Sequence, residues 1–322
     1  MQLDGPRALR FPAGVSVASH YQLVRLANGI QSIRSLREGE TFHPVIGPSA
    51  EAEALYVRQL GLPSRMAAEP DEFVIWDVGL GGGANVLTVL DRTRQAPGRL
   101  KVVSFDYTVE PLAFAIDHAD ALGYVGRYAA QAQELIRRGT VEFSDGGRSI
   151  RWELALGDFP TLVNTLKPGD LPAPHAILFD AYSPARNPAM WTLPLFANLY
   201  RQLDPRRPCA LPTYSRSTLL RVTLLLAGFH VGVGHATGEK EETTIASNHR
   251  DLIREPLGKE WLRRAEVSTS AEPLRNAVYQ QLPLTPESLS RLRAHPQFQC
   301  SVPGADQAPV VAAAARPATG SQ

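Results

Sequence analysis

Residues 73–90 read FVIWDVGLGGGANVLTVL, and the change of pattern inside that run decides the fold. FVIWDVG (73–79) is a short β-rich apolar run, and from Gly83 onward the apolar spacing becomes helical. Gly79, Gly81 and Gly83 fill the turn between them. Glycine admits positive φ and lets backbone come close to a ligand. The N–H groups that open the next helix then point at whatever lies there. A strand, a glycine loop and a helix in this order begin a doubly wound α/β domain.

Further apolar runs follow at 101–107, 151–157, 175–181 and 208–214, separated by helical stretches at 83–94, 109–138, 159–166, 188–203 and 215–227. Near-continuous apolar strands alternating with helices predict a parallel sheet covered on both faces. Two last strands, 229–237 and 242–248, are joined by only Gly238-Glu239-Lys240-Glu241. So short a link cannot cross over, which makes them antiparallel neighbours. The expected fold is therefore a Rossmann-like, seven-stranded, mostly parallel sheet closed by an antiparallel hairpin. Residues 1–70 form a separate zone: a strand pair within 15–37 turning at Asn28-Gly29, then a helix over 49–59 capped by Ser49. The main domain is expected over 71–298, with a helix at 286–294 and a disordered Pro/Ala-rich tail at 299–322.

The glycines alone do not name a cofactor. Gly79-x-Gly81-x-x-Ala84 satisfies the dinucleotide pattern, and the loop suits the carboxylate of S-adenosylmethionine as well as a phosphate. Asp77, two residues ahead of the loop, gives the D-x-G-x-G-x-G form usual in methyltransferases. Asp106 ends the second strand, where an acid accepts from both ribose hydroxyls; that argues against NADP only. Asp158 follows the third strand, beside an adenine or as a helix N-cap. An oxidoreductase would need a hydride-handling His or Lys near the cleft, yet His175 starts the fourth strand and His235 lies in a distal one.

The fourth strand runs into Asp180-Ala-Tyr182-Ser-Pro-Ala-Arg-Asn187-Pro-Ala-Met-Trp191. Ligands of open α/β sheets sit outside the carboxyl ends of the strands, so Asp180 faces the reacting centre. An acid there suits amine methylation. An alkylamine with a pKa near ~10.4 is mostly protonated at neutral pH, a cost of about 4 kcal/mol. A carboxylate can orient the N–H bonds and help a proton leave. Tyr182 could stack on a planar substrate, wall a methyl channel or simply pack in the core.

Composition adds bounds. The chain has 322 residues, a net charge of +1 and two cysteines, Cys209 and Cys300. Metal sites and disulfides are not expected, no apolar run is long enough to span a bilayer, and a reducing, cytoplasmic setting follows. Arg201, Arg206, Arg207, Arg216 and Arg221 cluster around one acid, Asp204. They make either a solvated face or a phosphate-contacting patch.

Over residues 25–295 the sequence resembles the MnmC-type methyltransferases of tRNA wobble-uridine modification. FVIWDVGLGGGANVLTVL is similar to that family's E-x-G-F-G-T-G-L-N-F-L, with Asn85 in place of its asparagine. LFDAYSPARNPAMWTLPLFANLY (178–200) matches its D-G/A-F-x-P-x-x-N-P-x-M-W segment, and GETFHPVIGPSAEAEALYV (39–57) its H-x-x-x-G-x-x-x-E stretch. PTYSRSTLLRVTLLLAGFHV and GEKEETTIAS resemble its fifth strand, helix and closing hairpin. The resemblance implies S-adenosyl-L-methionine as cofactor, tRNA as partner, and methylation of the 5-aminomethyl group of the wobble uridine. It implies Asp180 and Tyr182 at the catalytic centre; Asp77, Gly79, Gly81, Gly83, Asn85, Asp106 and Asp158 at the cofactor; and Asn187, Trp191, Arg216 and Lys240 toward the substrate. No second glycine-rich nucleotide motif follows, so the FAD-dependent oxidase activity of bifunctional members is not expected. Gly82 stands for the family's threonine, Tyr182 for its phenylalanine, and Glu241 where an arginine often follows the lysine.

Overall fold

Alternate residues along β3 (Glu72–Val78) enter two different cores: Phe73 and Ile75 one, Val74, Trp76 and Val78 the other. A strand buried on both faces needs cover on both, and the chain supplies it. The computed structural model describes residues 20–238 and 241–299.

β1 (Tyr21–Arg25) and β2 (Gln31–Ser35) make a small antiparallel ribbon of their own. The main sheet has nine strands: β3, β4 (Arg99–Asp106), β5 (Thr140–Asp145), β6 (Arg148–Leu156), β7 (Ala176–Phe179), β8 (Ala210–Thr213), β9 (His230–Gly234), β10 (Thr243–Ser247) and β11 (Glu255–Pro256). Their order is β11-β9-β10-β8-β7-β3-β4-β6-β5. β6, β4, β3, β7 and β8 run parallel, and β10 enters antiparallel between β8 and β9. The Rossmann-like, seven-stranded, mostly parallel sheet with its antiparallel hairpin foreseen from the sequence is thus present, with two edge strands added.

β5 was not anticipated. Its hairpin to β6 turns on Gly146 and Gly147 at φ 64° and 88°, the positive values a two-residue primed turn requires. The helical stretch expected over 109–138 is broken into Glu110–Asp117, Ala119–Leu122 and Ala129–Arg138, with Gly123 at φ 74° ending the second piece. Nor does Ser49 cap its helix. Gly47 at φ 93° and Pro48 start it, and the coil widens to i→i+5 bonding over Glu53–Arg58. The tail expected at 299–322 lies outside the described residues but for Gln299.

Helices Phe159–Thr165, Leu193–Arg201 and Thr218–Leu226 cover one face of the sheet. Ala84–Arg92, Ala129–Arg138 and the residue 48–68 segment cover the other. Since β3, β4 and β7 are parallel, Gly79, Asp106 and Asp180 all emerge at the same edge. The β1–β2 ribbon and the loop after it bring Tyr21, Phe42 and His43 to that edge. None of the helices among the described residues is long and apolar enough to cross a membrane.

Candidate functional site

A cavity of about 580 Å³ opens over the carboxyl ends of β3, β4, β6 and β7. Its floor is the glycine loop. Gly79 (φ 89°) approaches so closely that a Cβ there would lie 2.6 Å from the Asp180 carbonyl oxygen. Gly81 donates its N–H to Asp106 Oδ2 at 2.9 Å, and Gly83 (φ 76°) opens the helix Ala84–Arg92. Asp106 also accepts from the Tyr107 N–H at 2.7 Å, so the acid fastens the loop to the end of β4. Burial pushes its carboxyl above the ordinary carboxylate value, against these backbone bonds.

Asp180 follows β7 and lines the cavity beside the loop. Asn85, in the first turn of the loop helix, donates from Nδ2 to Asp180 Oδ2 at 2.7 Å, while its own Oδ1 is buried without a hydrogen-bond partner. A buried acceptor left open at a cavity wall is a place for a ligand's donor. Asp158 caps Phe159–Thr165 by accepting from the Thr161 N–H at 3.1 Å through Oδ2, and it also borders the cavity. The N-cap and ligand-facing readings are thus compatible.

Tyr182 forms a side wall, its ring 5.7 Å from that of Phe42. Burial raises its phenol well above the usual tyrosine range, partly offset by a hydrogen bond with Ser35. Asn187 borders the cavity too.

Some of the expected residues do not line the cavity. Asp77 is only 1% exposed and lies beneath the loop rather than in the cavity, because strand periodicity turns it inward with Ile75. It accepts from Ser104 Oγ at 2.7 Å, which itself accepts from Trp152 Nε1 at 2.9 Å. Burial pushes the Asp77 carboxyl up to about 7. Trp191 is wholly enclosed and does not line the cavity; its Nε1 donates to the Tyr182 carbonyl at 2.8 Å, so it positions the wall. Arg216 is exposed and apart from the cavity lining, and Lys240 lies outside the described residues. Within the arginine run Arg221 is buried, bonded to Thr244 Oγ1 and the Thr243 carbonyl and paired with Glu242, so it cannot serve a phosphate patch. His175 is also structural: it accepts the Val74 N–H on Nδ1 at 2.8 Å, and burial lowers its pKa to about 4.

The structure adds groups that the sequence reading left without a role. Glu40 accepts from Ser183 N–H at 3.2 Å and from Ser183 Oγ, tying the loop after β2 to the loop after β7. His43 and Glu51, from the H-x-x-x-G-x-x-x-E stretch, both line the cavity. The spacing was visible, but nothing local said that it would dock 140 residues downstream. In all, the cavity carries five carboxylates (Glu40, Glu51, Asp106, Asp158 and Asp180) against one guanidinium, Arg34, among the described residues. That imbalance favours cationic ligands.

The model of a family described as S-adenosyl-L-methionine-dependent methyltransferase matches residues 127–249. The chain is 30% identical over 249 residues to the tRNA 5-methylaminomethyl-2-thiouridine biosynthesis bifunctional protein MnmC of Cupriavidus necator, covering 74% of this chain and 36% of that protein. The protein of the same name from Cupriavidus metallidurans is 29% identical over 278 residues, 81% of this chain and 40% of its own. The chain thus spans about two fifths of the length of these relatives. In fold it is similar to the crystal structure of MNMC2 from Aquifex aeolicus, with TM-score 0.62, 22% identity, and 86% and 85% of the two chains covered. By family model and relatives together, the chain carries an S-adenosyl-L-methionine-dependent methyltransferase domain, similar in sequence to part of the MnmC proteins.

Proposed function

We propose that this domain methylates the 5-aminomethyl group of the wobble uridine, or 2-thiouridine, in tRNA. The observation that carries the reading is Asp180, held by Asn85 at 2.7 Å in an acidic cavity beside the glycine loop. The name of the relatives supports the substrate class, since it describes biosynthesis of a methylaminomethyl-thiouridine in tRNA.

The residues present suit the cofactor. The Gly79–Gly83 backbone and the open Oδ1 of Asn85 would meet its amino-acid end, Asp106 its ribose and Asp158 its adenine amine. When bound, S-adenosyl-L-methionine supplies an activated methyl on a cationic sulfur. Asp180 then does the work at the acceptor. It draws the substrate ammonium in, orients its N–H bonds and takes up charge as a proton leaves. Tyr182 and Phe42 wall off water on the apolar side. Exposed Arg201, Arg206 and Arg216 remain available to phosphates outside the cavity.

Asp180→Ala tests the reading in an assay with labelled cofactor and tRNA carrying unmethylated 5-aminomethyluridine. Transfer should drop by about 10²–10⁴-fold while cofactor affinity, by calorimetry, stays within a few-fold. Undiminished transfer would remove Asp180 from the mechanism.

A further inference from the structure

His43 stands between two acids. Its Nε2 lies 3.6 Å from Asp180 Oδ2 and its Nδ1 3.7 Å from Glu51 Oε2. The side chains of His43 and Glu51 are each 9% exposed and that of Asp180 20%, so the line runs from the cavity surface into the protein. His43 is also the only described non-glycine residue at positive φ, 47°. Backbone held in that region persists where the surroundings over-determine it, and such outliers gather at working sites. The helix Pro48–Ala52 carries Glu51 to the Nδ1 side of the ring.

The chemistry at Asp180 leaves a need that this arrangement meets. A carboxylate of ordinary acidity holds a proton poorly at neutral pH, whereas an imidazole holds one well. Asn85 donates to the same Asp180 oxygen at 2.7 Å.

We propose that Asp180, His43 and Glu51 form a proton relay in which His43 is the acceptor, acting through Asp180. The inference rests on the amine-methylation reading above. An N–H bond of the substrate ammonium breaks and leaves its electron pair on nitrogen. The proton passes by way of Asp180 to the lone pair on His43 Nε2, and the imidazolium is held between the two carboxylates. The neutral amine nitrogen then forms the C–N bond with that pair as the sulfonium C–S bond breaks and its electrons stay on sulfur. The relay proton leaves to solvent when product departs. Among the described residues, the other charged groups lining this cavity are Glu40, Asp106, Asp158 and Arg34, and the phenols of Tyr56 and Tyr214 lie near Glu51 and Asp180. His43 is a positioning residue in this scheme, since it acts through Asp180.

The first test needs no substrate. The His43 ring is titrated by ¹⁵N NMR in the wild-type protein, Asp180→Asn and Glu51→Gln. Each lost carboxylate should lower the ring's titration midpoint. An unchanged midpoint in both variants overturns the relay. The second is a pH–rate profile of His43→Gln against wild type, with cofactor binding as the check on folding. The variant should be about 100-fold slower at pH 7 and less than about 10-fold slower near pH 10.5, where about half of the amine is already neutral. A ratio that stays constant with pH overturns the proposal, because a structural defect would act at every pH. Failure of the wild-type protein to methylate tRNA would instead count against the substrate, and the NMR titration would still decide the relay.

Discussion

At Gly79 two constraints coincide: a φ of 89° and a hypothetical Cβ only 2.6 Å from the Asp180 carbonyl. Gly79→Ala should therefore cost about 1–3 kcal/mol of stability, read from denaturant midpoints, and weaken cofactor binding by calorimetry. An alanine variant with wild-type stability and affinity would mean that the loop is free to move away from Asp180. Which residues were legible in the sequence follows from the same geometry. Asp106, Asp158 and Asp180 could be placed because strand ends are marked by the loss of an apolar run, and the doubly wound topology gathers those ends. Asp77 could not, since spacing shows that it precedes the loop but not which way it points; only the pairing of β3 turns it under the sheet surface. His43 and Glu51 belong to a motif visible in the sequence, but the approach of His43 to residue 180 is encoded by no local pattern.

The element that converts an ordinary doubly wound sheet into this site is the β1–β2 ribbon with its following loop. Ile33 of β2 packs on the glycine loop so tightly that a Cβ on Gly82 would sit 2.8 Å from Ile33 Cδ1 and 2.9 Å from the Tyr124 hydroxyl. This gives a physical reason for glycine at the position that the resemblance matches to a threonine. Gly82→Thr should push the ribbon outward, making the 20–47 segment cleave faster under limited proteolysis and raising KM for the acceptor. Unchanged proteolysis and kinetics would mean that the ribbon can yield at no cost. Seven strands of the main sheet were readable as apolar runs. β5 was not, because its burial alternates only between partial and exposed and it makes its pairing on the sheet edge. The Gly146-Gly147 turn was the available signal.

Across the whole molecule, buried ionisable groups set how stability responds to pH. Asp77, raised to about 7, contributes stability that is fully present below about pH 4 and lost as pH rises through 7. His175 and His295, both lowered to about 4, act oppositely: their contribution is present above about pH 6.5 and lost as pH falls through 4. Asp77→Asn removes the first effect alone. Urea midpoints of that variant should therefore climb more steeply between pH 4.5 and 6.5 than those of the wild-type protein, whereas parallel slopes would mean that Asp77 is ionised throughout. The central claim concerns the acceptor, and one measurement addresses it directly. Wild-type protein is incubated with methyl-deuterated S-adenosyl-L-methionine and tRNA bearing 5-aminomethyl-2-thiouridine, and the nucleosides are resolved by mass spectrometry. The account predicts the labelled methyl on the exocyclic nitrogen at the wobble position; label at any other nucleoside, or none in tRNA while a free amine is methylated, would contradict it.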